Sequence, residues 1–134
     1  VQATPGAIGY VEKSPAAAAG LPFAQIDTGS GAVELTDDNA KKAIASAKFA
    51  KDGNDLALDL KSLYSTKEAG AYPLVLATYE IVCSKGYDAD TAAAVKSFLK
   101  VAANQGQANL SKAGYIPLPD AFKTRLLQSV DAIA

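Results

Sequence analysis

Gly29-Ser30-Gly31, the Asp37-Asp38 pair, Cys83 and Arg125 are the residues whose types and spacing invite chemistry. A glycine-rich turn can offer backbone N–H groups to a phosphate oxygen, because glycine lets the main chain approach an anion closely. That use calls for a helix directly behind the loop and a lysine following it, and neither is present. A hairpin turn is the better reading of Gly29-Ser30-Gly31. Paired carboxylates can serve as acid and base, yet Asp37 and Asp38 follow Thr36 at the head of a helical pattern. There their charge complements the positive end of the helix dipole. Arg125 is the only arginine, and it falls on the last amphipathic stretch of the chain.

Absences narrow the chemistry further. With no histidine, the commonest general base and metal ligand are missing, and triads of the Ser-His-Asp and Cys-His kinds are excluded. A single cysteine permits neither an internal disulfide nor a thiolate zinc site. An enzyme built from Asp, Glu and Lys would need convergent, perturbed carboxylates, and no spacing here forces any together. No metal or organic cofactor is implied. The formal net charge of −1 gives no field that would draw nucleic acid or an anionic membrane.

The elements that must position these residues follow from pattern and punctuation. Over 134 residues, 49% hydrophobic and 20% charged, the chain has the composition of one ordinary globular domain. Thr4-Pro5-Gly6 turns into Ala7–Glu12, which predicts a short buried strand. Ser14 as N-cap, Pro15 at the first helical position, the alanine run and Gly20 punctuate a short helix. Phe23–Ile26 alternates like a brief strand before the glycine turn. Thr36 caps a helix whose stripe is Ala40, Ala43, Ile44 and Ala47. Leu56, Leu58 and Leu60 alternate as a half-buried strand, and Ser65–Tyr72 is a polar loop.

Pro73–Cys83 is the longest β-type run, well beyond the usual 5–6 residues or so, and such a strand can cross from one lobe to another. Asp88 or Asp90 caps a strong helix carrying Val95, Phe98, Leu99 and Val101, which ends at Gln105-Gly106-Gln107. After Tyr115–Pro119 a last amphipathic helix runs through Phe122, Leu126, Leu127, Val130 and Ile133. No apolar run approaches the roughly 20 residues needed to cross a bilayer. Val1–Thr4 does not open a signal peptide. A buried strand so close to the start, with no earlier strand beside it, predicts that its neighbours lie in sequence outside this chain.

Four stretches, in order and in register, resemble the phosphate-binding proteins of the Pst type, the receptors of phosphate ABC importers. They are Pro5–Glu12, Tyr72–Tyr79, Ala94–Leu99 and Gly114–Pro119, and together they cover nearly the whole chain. Thr78–Lys85 is similar to actinobacterial members in particular.

The resemblance implies an α/β fold, part of a two-lobed type II periplasmic-binding-protein architecture with a mixed sheet and flanking helices. It assigns residues 1–76 to the C-terminal part of the second lobe. Residues 77–134 become a hinge strand and the helices completing the first lobe. The family grips phosphate with groups that precede the position of Val1, so no phosphate-contacting residue carries over. Tyr79, Thr78 and Tyr10 are candidates to line the cleft or hinge. Cys83 is either a buried small apolar residue or one half of a disulfide whose partner lies elsewhere.

The implied function is inorganic phosphate capture by the parent protein and delivery to an ABC permease in the membrane. The implied location is extracytoplasmic, in the periplasm or at the cell surface, with a lipid anchor on the parent. The alternative is an interaction or antigenic module that meets a missing N-terminal part or self-associates, without ligand. Nucleic acid is not an expected partner in either case.

Overall fold

The computed structural model describes all 134 residues. Its order is α1 (Lys13–Ala18), β1 (Ile26–Asp27), β2 (Ala32–Val33), α2 (Asp37–Ser46), β3 (Lys48–Phe49) and β4 (Leu58–Asp59). There follow α3 (Leu60–Tyr64), α4 (Ala89–Ala103), two 3₁₀ turns at Gln105–Asn109 and Ser111–Ala113, and α5 (Asp120–Asp131).

Helix starts follow the predicted caps where a short polar side chain precedes the apolar stripe. Thr36 accepts from the Asn39 N–H at 3.1 Å at the head of α2, and Asp88 accepts from Thr91 N–H at 2.9 Å at the head of α4. The first helix departs from expectation. It begins at Lys13, with Glu12 before it and no side-chain cap, so Ser14 lies inside the helix.

The Leu56–Leu60 strand is also corrected. Asp59 accepts from the N–H groups of Lys61 and Ser62, at 3.0 and 3.3 Å, and so nucleates α3 from Leu60 onward. A local cap outweighs a three-leucine alternation, leaving only Leu58–Asp59 in the ladder. The Phe23–Ile26 strand likewise reduces to Ile26–Asp27.

The core is built where α2 and α3 meet. Ala43, Leu63 and Ala71 are essentially inaccessible, and Ala47 and Val75 pack on them. A second centre forms between α4 and α5, where Ala103, Val130 and Ile133 are buried and Lys100 pairs with Asp131 at 2.6 Å. The chain's ends are drawn together at Gly114. Its backbone is left-handed, φ 84°, and a Cβ there would lie 2.6 Å from the Cβ of Ser14.

Sheet structure is confined to two antiparallel pairs, β1 with β2 and β3 with β4. The two long predicted strands, 7–12 and 73–83, form no strand and belong to no ladder, and a tight turn closes between the Pro73 carbonyl and the Val75 N–H at 2.9 Å. Ala7–Glu12 is not buried: Ile8 is 87% and Tyr10 94% exposed. Along 73–83, Pro73 is buried and Val75 and Ala77 are partly covered, while Leu76 and Ile81 stand 83% and 95% exposed. The cause is pairing, which is non-local. No other segment of these 134 residues presents an edge to either strand.

Candidate functional site

The β1–β2 hairpin settles the chemistry of the glycine loop. One Asp27 carboxylate oxygen accepts from Gly29 N–H at 2.7 Å and from Gly31 N–H at 3.1 Å, with both glycines at φ just above 100°. The Gly29 hydrogen bond, then that of Gly31, holds the Asp27 carboxyl below its ordinary value. The N–H groups that would cradle an oxyanion are therefore occupied by the protein's own anion. Lys67 donates to the Thr28 carbonyl at 2.8 Å and fixes the loop from outside. It is a hairpin turn.

The aspartate pair is equally accounted for. Asp37 is bridged by Lys13 at 2.8 Å, and its carboxyl is lowered by that hydrogen bond first and by one from Ser111 second. A general acid requires the opposite shift, so the pair works at the helix terminus and ties α1 to α2.

Arg125 lies on α5 and reaches the loop between β3 and β4. It donates to the carbonyls of Lys51 and Gly53 at 3.4 and 3.2 Å. Its guanidinium stands 4.3 Å from the centre of the Phe49 ring, which packs on Phe122 at 5.0 Å between centroids. The one arginine is thus a clamp between a helix and a hairpin, with its charge over a ring and its donors on the main chain.

Two surface hollows accompany these elements. One, of about 180 Å³, is lined by Phe23, Gln25, Glu34 and Leu35, and Gln25 already donates to Glu34 at 3.2 Å. The other, of about 240 Å³, is lined by Lys42, Ala45, Ser46 and Glu68. Each sets a carboxylate on its wall and lacks a set of convergent donors. No group of three His, Cys, Asp or Glu side chains stands ready to hold a metal. No helix is long and apolar enough to cross a membrane.

The remaining candidates lie on the two segments that form no strand. Tyr79 is half exposed, and its hydroxyl accepts from Leu58 N–H at 3.0 Å, linking segment 73–83 to β4. Thr78, beside it, is exposed. Tyr10 stands on the other segment, in water and without a hydrogen bond, so it shares no contact with Tyr79. Cys83 is free and exposed in this chain. It ends segment 73–83, and the reason for its exposure is that nothing in this chain covers that end.

Two residues that hold this segment escaped sequence reasoning. The Tyr64 hydroxyl donates to the Val75 carbonyl at 3.4 Å, and the Tyr87 hydroxyl accepts from Cys83 N–H at 2.9 Å. The available signal was the presence of a hydroxyl-bearing ring on either side of an unbroken β-type run. Between these ties, no N–H or C=O of residues 76–82 has a partner, and the same holds for 8–11.

The PBP superfamily domain matches residues 1–105. Among related proteins, the phosphate-binding protein PstS 3 of Mycobacterium tuberculosis is 50% identical over 133 residues, 98% of this chain and 36% of that protein. Phosphate-binding protein PstS 2 of the same species is 46% identical over 136 residues, 100% of this chain and 37% of its own length. A phosphate-binding protein PstS of Methanocaldococcus jannaschii is 30% identical over 141 residues, again 36% of its length. The chain therefore spans a little over a third of these relatives.

Proposed function

The chain belongs to the PBP superfamily, and from that premise we propose that it serves a longer receptor that captures inorganic phosphate outside the cytoplasm. The observation that carries this reading is the 45–50% identity to mycobacterial phosphate-binding proteins along essentially every residue. In this reading the receptor closes two lobes about a hinge and presents the liganded form to an ABC permease, without catalysis. A lipid anchor on the receptor would hold it at the membrane.

The chain's own part is scaffold. Residues 1–76 complete the second lobe, and residues 77–134 supply a hinge strand and the helices that finish the first. Tyr79 acts at the hinge, with its hydroxyl on β4. The chemistry of the residues supports an absence of phosphate ligands here: the glycine loop carries Asp27, and Arg125 carries Phe49 and two carbonyls. A bare phosphate dianion near either carboxylate-lined hollow would meet like charge.

Calorimetry tests both halves of the reading. The longer receptor should take up one phosphate with heat that arsenate competes away, and the 134-residue chain alone should give none. Absence of phosphate heat from the longer receptor would overturn the function. Saturable phosphate binding by this chain alone would overturn its scaffold role.

A further inference from the structure

We infer that α5 carries a latch between the lobes: Arg125 and Phe122 grip the β3–β4 hairpin beside the hinge in one arrangement of the lobes, and so tune how strongly the receptor holds phosphate. The inference rests on the receptor reading, which assigns residues 1–76 to one lobe and 77–134 to the other. Its observation is where α5 touches the opposite half.

The two halves are joined thinly. No main-chain hydrogen bond passes from residues 1–76 to residues 77–134, and each of the three salt bridges lies within one half. One contact is made of short groups, where Gly114 backs onto Ser14 and Ser111 reaches Asp37. The other hydrogen bonds and ring contacts between the halves converge on a single hairpin. Tyr79, in the hinge segment, accepts from the Leu58 N–H on β4. Phe122 packs on Phe49 of β3, while Arg125 covers the same ring and donates to the Lys51 and Gly53 carbonyls in the turn. Phe49 and Leu58 stand opposite each other in the register, so the hinge contact and the α5 contact sit side by side across one ladder.

A contact so placed responds to the angle at the hinge. Segment 76–82 makes no main-chain hydrogen bond and resists turning little. Attraction between a guanidinium and a ring reaches to about 6 Å from the ring centre. The contact stands at 4.3 Å, which leaves about 2 Å of travel. Both carbonyl bonds, at 3.4 and 3.2 Å, are already at the long end of hydrogen bonding. Phe49, Phe122 and Arg125 are each half-buried, so parting them opens no core. Lobe rotation beyond that travel breaks the latch. A contact made in one arrangement alone biases the equilibrium on which phosphate acts.

The test is phosphate calorimetry on the longer receptor, unaltered and as Arg125→Ala, Arg125→Lys, Phe49→Leu and Thr36→Ala. Thermal unfolding first establishes that each variant is folded at the working temperature. Arg125→Ala should move the phosphate Kd by about two- to fivefold, the range of an exposed guanidinium–ring contact. The Kd rises if the latch belongs to the closed lobes and falls if it belongs to the open ones. Phe49→Leu should move it in the same direction, and Arg125→Lys by less. Should Arg125→Ala not fold, those two variants carry the test. Thr36→Ala removes a helix cap that touches one half only, and should leave the Kd unchanged at a similar loss of stability.

One Kd shared by the unaltered, Arg125→Ala and Phe49→Leu receptors would overturn the latch and leave the phosphate reading standing. So would opposite shifts from those two variants, or a shift that Thr36→Ala reproduces. Absence of phosphate heat from the unaltered receptor would sink the receptor reading, and the latch with it.

Discussion

Arg125 shows what a single residue can conceal. It is the sole arginine, and its partners are carbonyls more than seventy positions away and an aromatic ring. Nothing local announces such a contact, because it arises only when α5 folds back on the β3–β4 hairpin. Replacing Arg125 with Ala should lower stability by about 1 kcal/mol through the lost ring contact and hydrogen bonds, read as a shift of the urea midpoint. Arg125→Lys should recover less than half, since a compact ammonium does not match a guanidinium over the Phe49 ring with a donor still free for two carbonyls. Cys83 makes a second prediction at this scale. Being free and exposed, it should react with a thiol-specific disulfide reagent as fast in the native chain as in urea. In the longer receptor it should be unreactive if it is covered or disulfide-bonded there. Equal reactivity in both would dismiss a disulfide partner.

Elements were legible in proportion to how local their signals are. Thr36 and Asp88 cap α2 and α4 as their sequence positions require, because a cap is made within three residues. Thr36→Ala should cost about 1 kcal/mol, measured by thermal unfolding. The β-type composition of 73–83 was legible but its pairing was not, since a ladder depends on distant sequence and here none forms. The same limit hid the approach of Ser14 to Gly114. Gly114→Ala should destabilise by more than about 1 kcal/mol, from a left-handed backbone and a collision. Combining it with Ser14→Gly should recover little of the loss, because the Ser14 Cα and N stand 3.1 Å from the same position and glycine weakens α1. The Lys13–Asp37 bridge between α1 and α2 carries a pH signature. Because the folded carboxyl sits below its ordinary value, near 3.9 when unfolded, its contribution is complete above about pH 4 and disappears as pH falls through the lower folded value. Asp37→Asn should therefore flatten the acid limb of a melting-temperature profile below about pH 4.

For the molecule as a whole, composition is that of one ordinary globular domain, whereas 12 of 134 residues are buried. Hydrophobic content was the right amount for a domain, but the faces it makes point in directions that this chain does not cover: Ile8, Leu76, Ile81, Phe98. A chain with so small a core should unfold in urea with a slope below that of compact domains of equal length, because less surface is newly exposed. It should also bind a hydrophobic dye in its native state, and a steep two-state transition without dye binding would contradict this. The tyrosine ties at the ends of 76–82 have a further consequence, in time rather than energy. Between those two contacts no main-chain group of 76–82 is bonded, so its amides should exchange with solvent near the rate of open peptide while those of α4 are protected. Hydrogen exchange read by mass spectrometry checks this, and protection of 76–82 equal to that of α4 would contradict it.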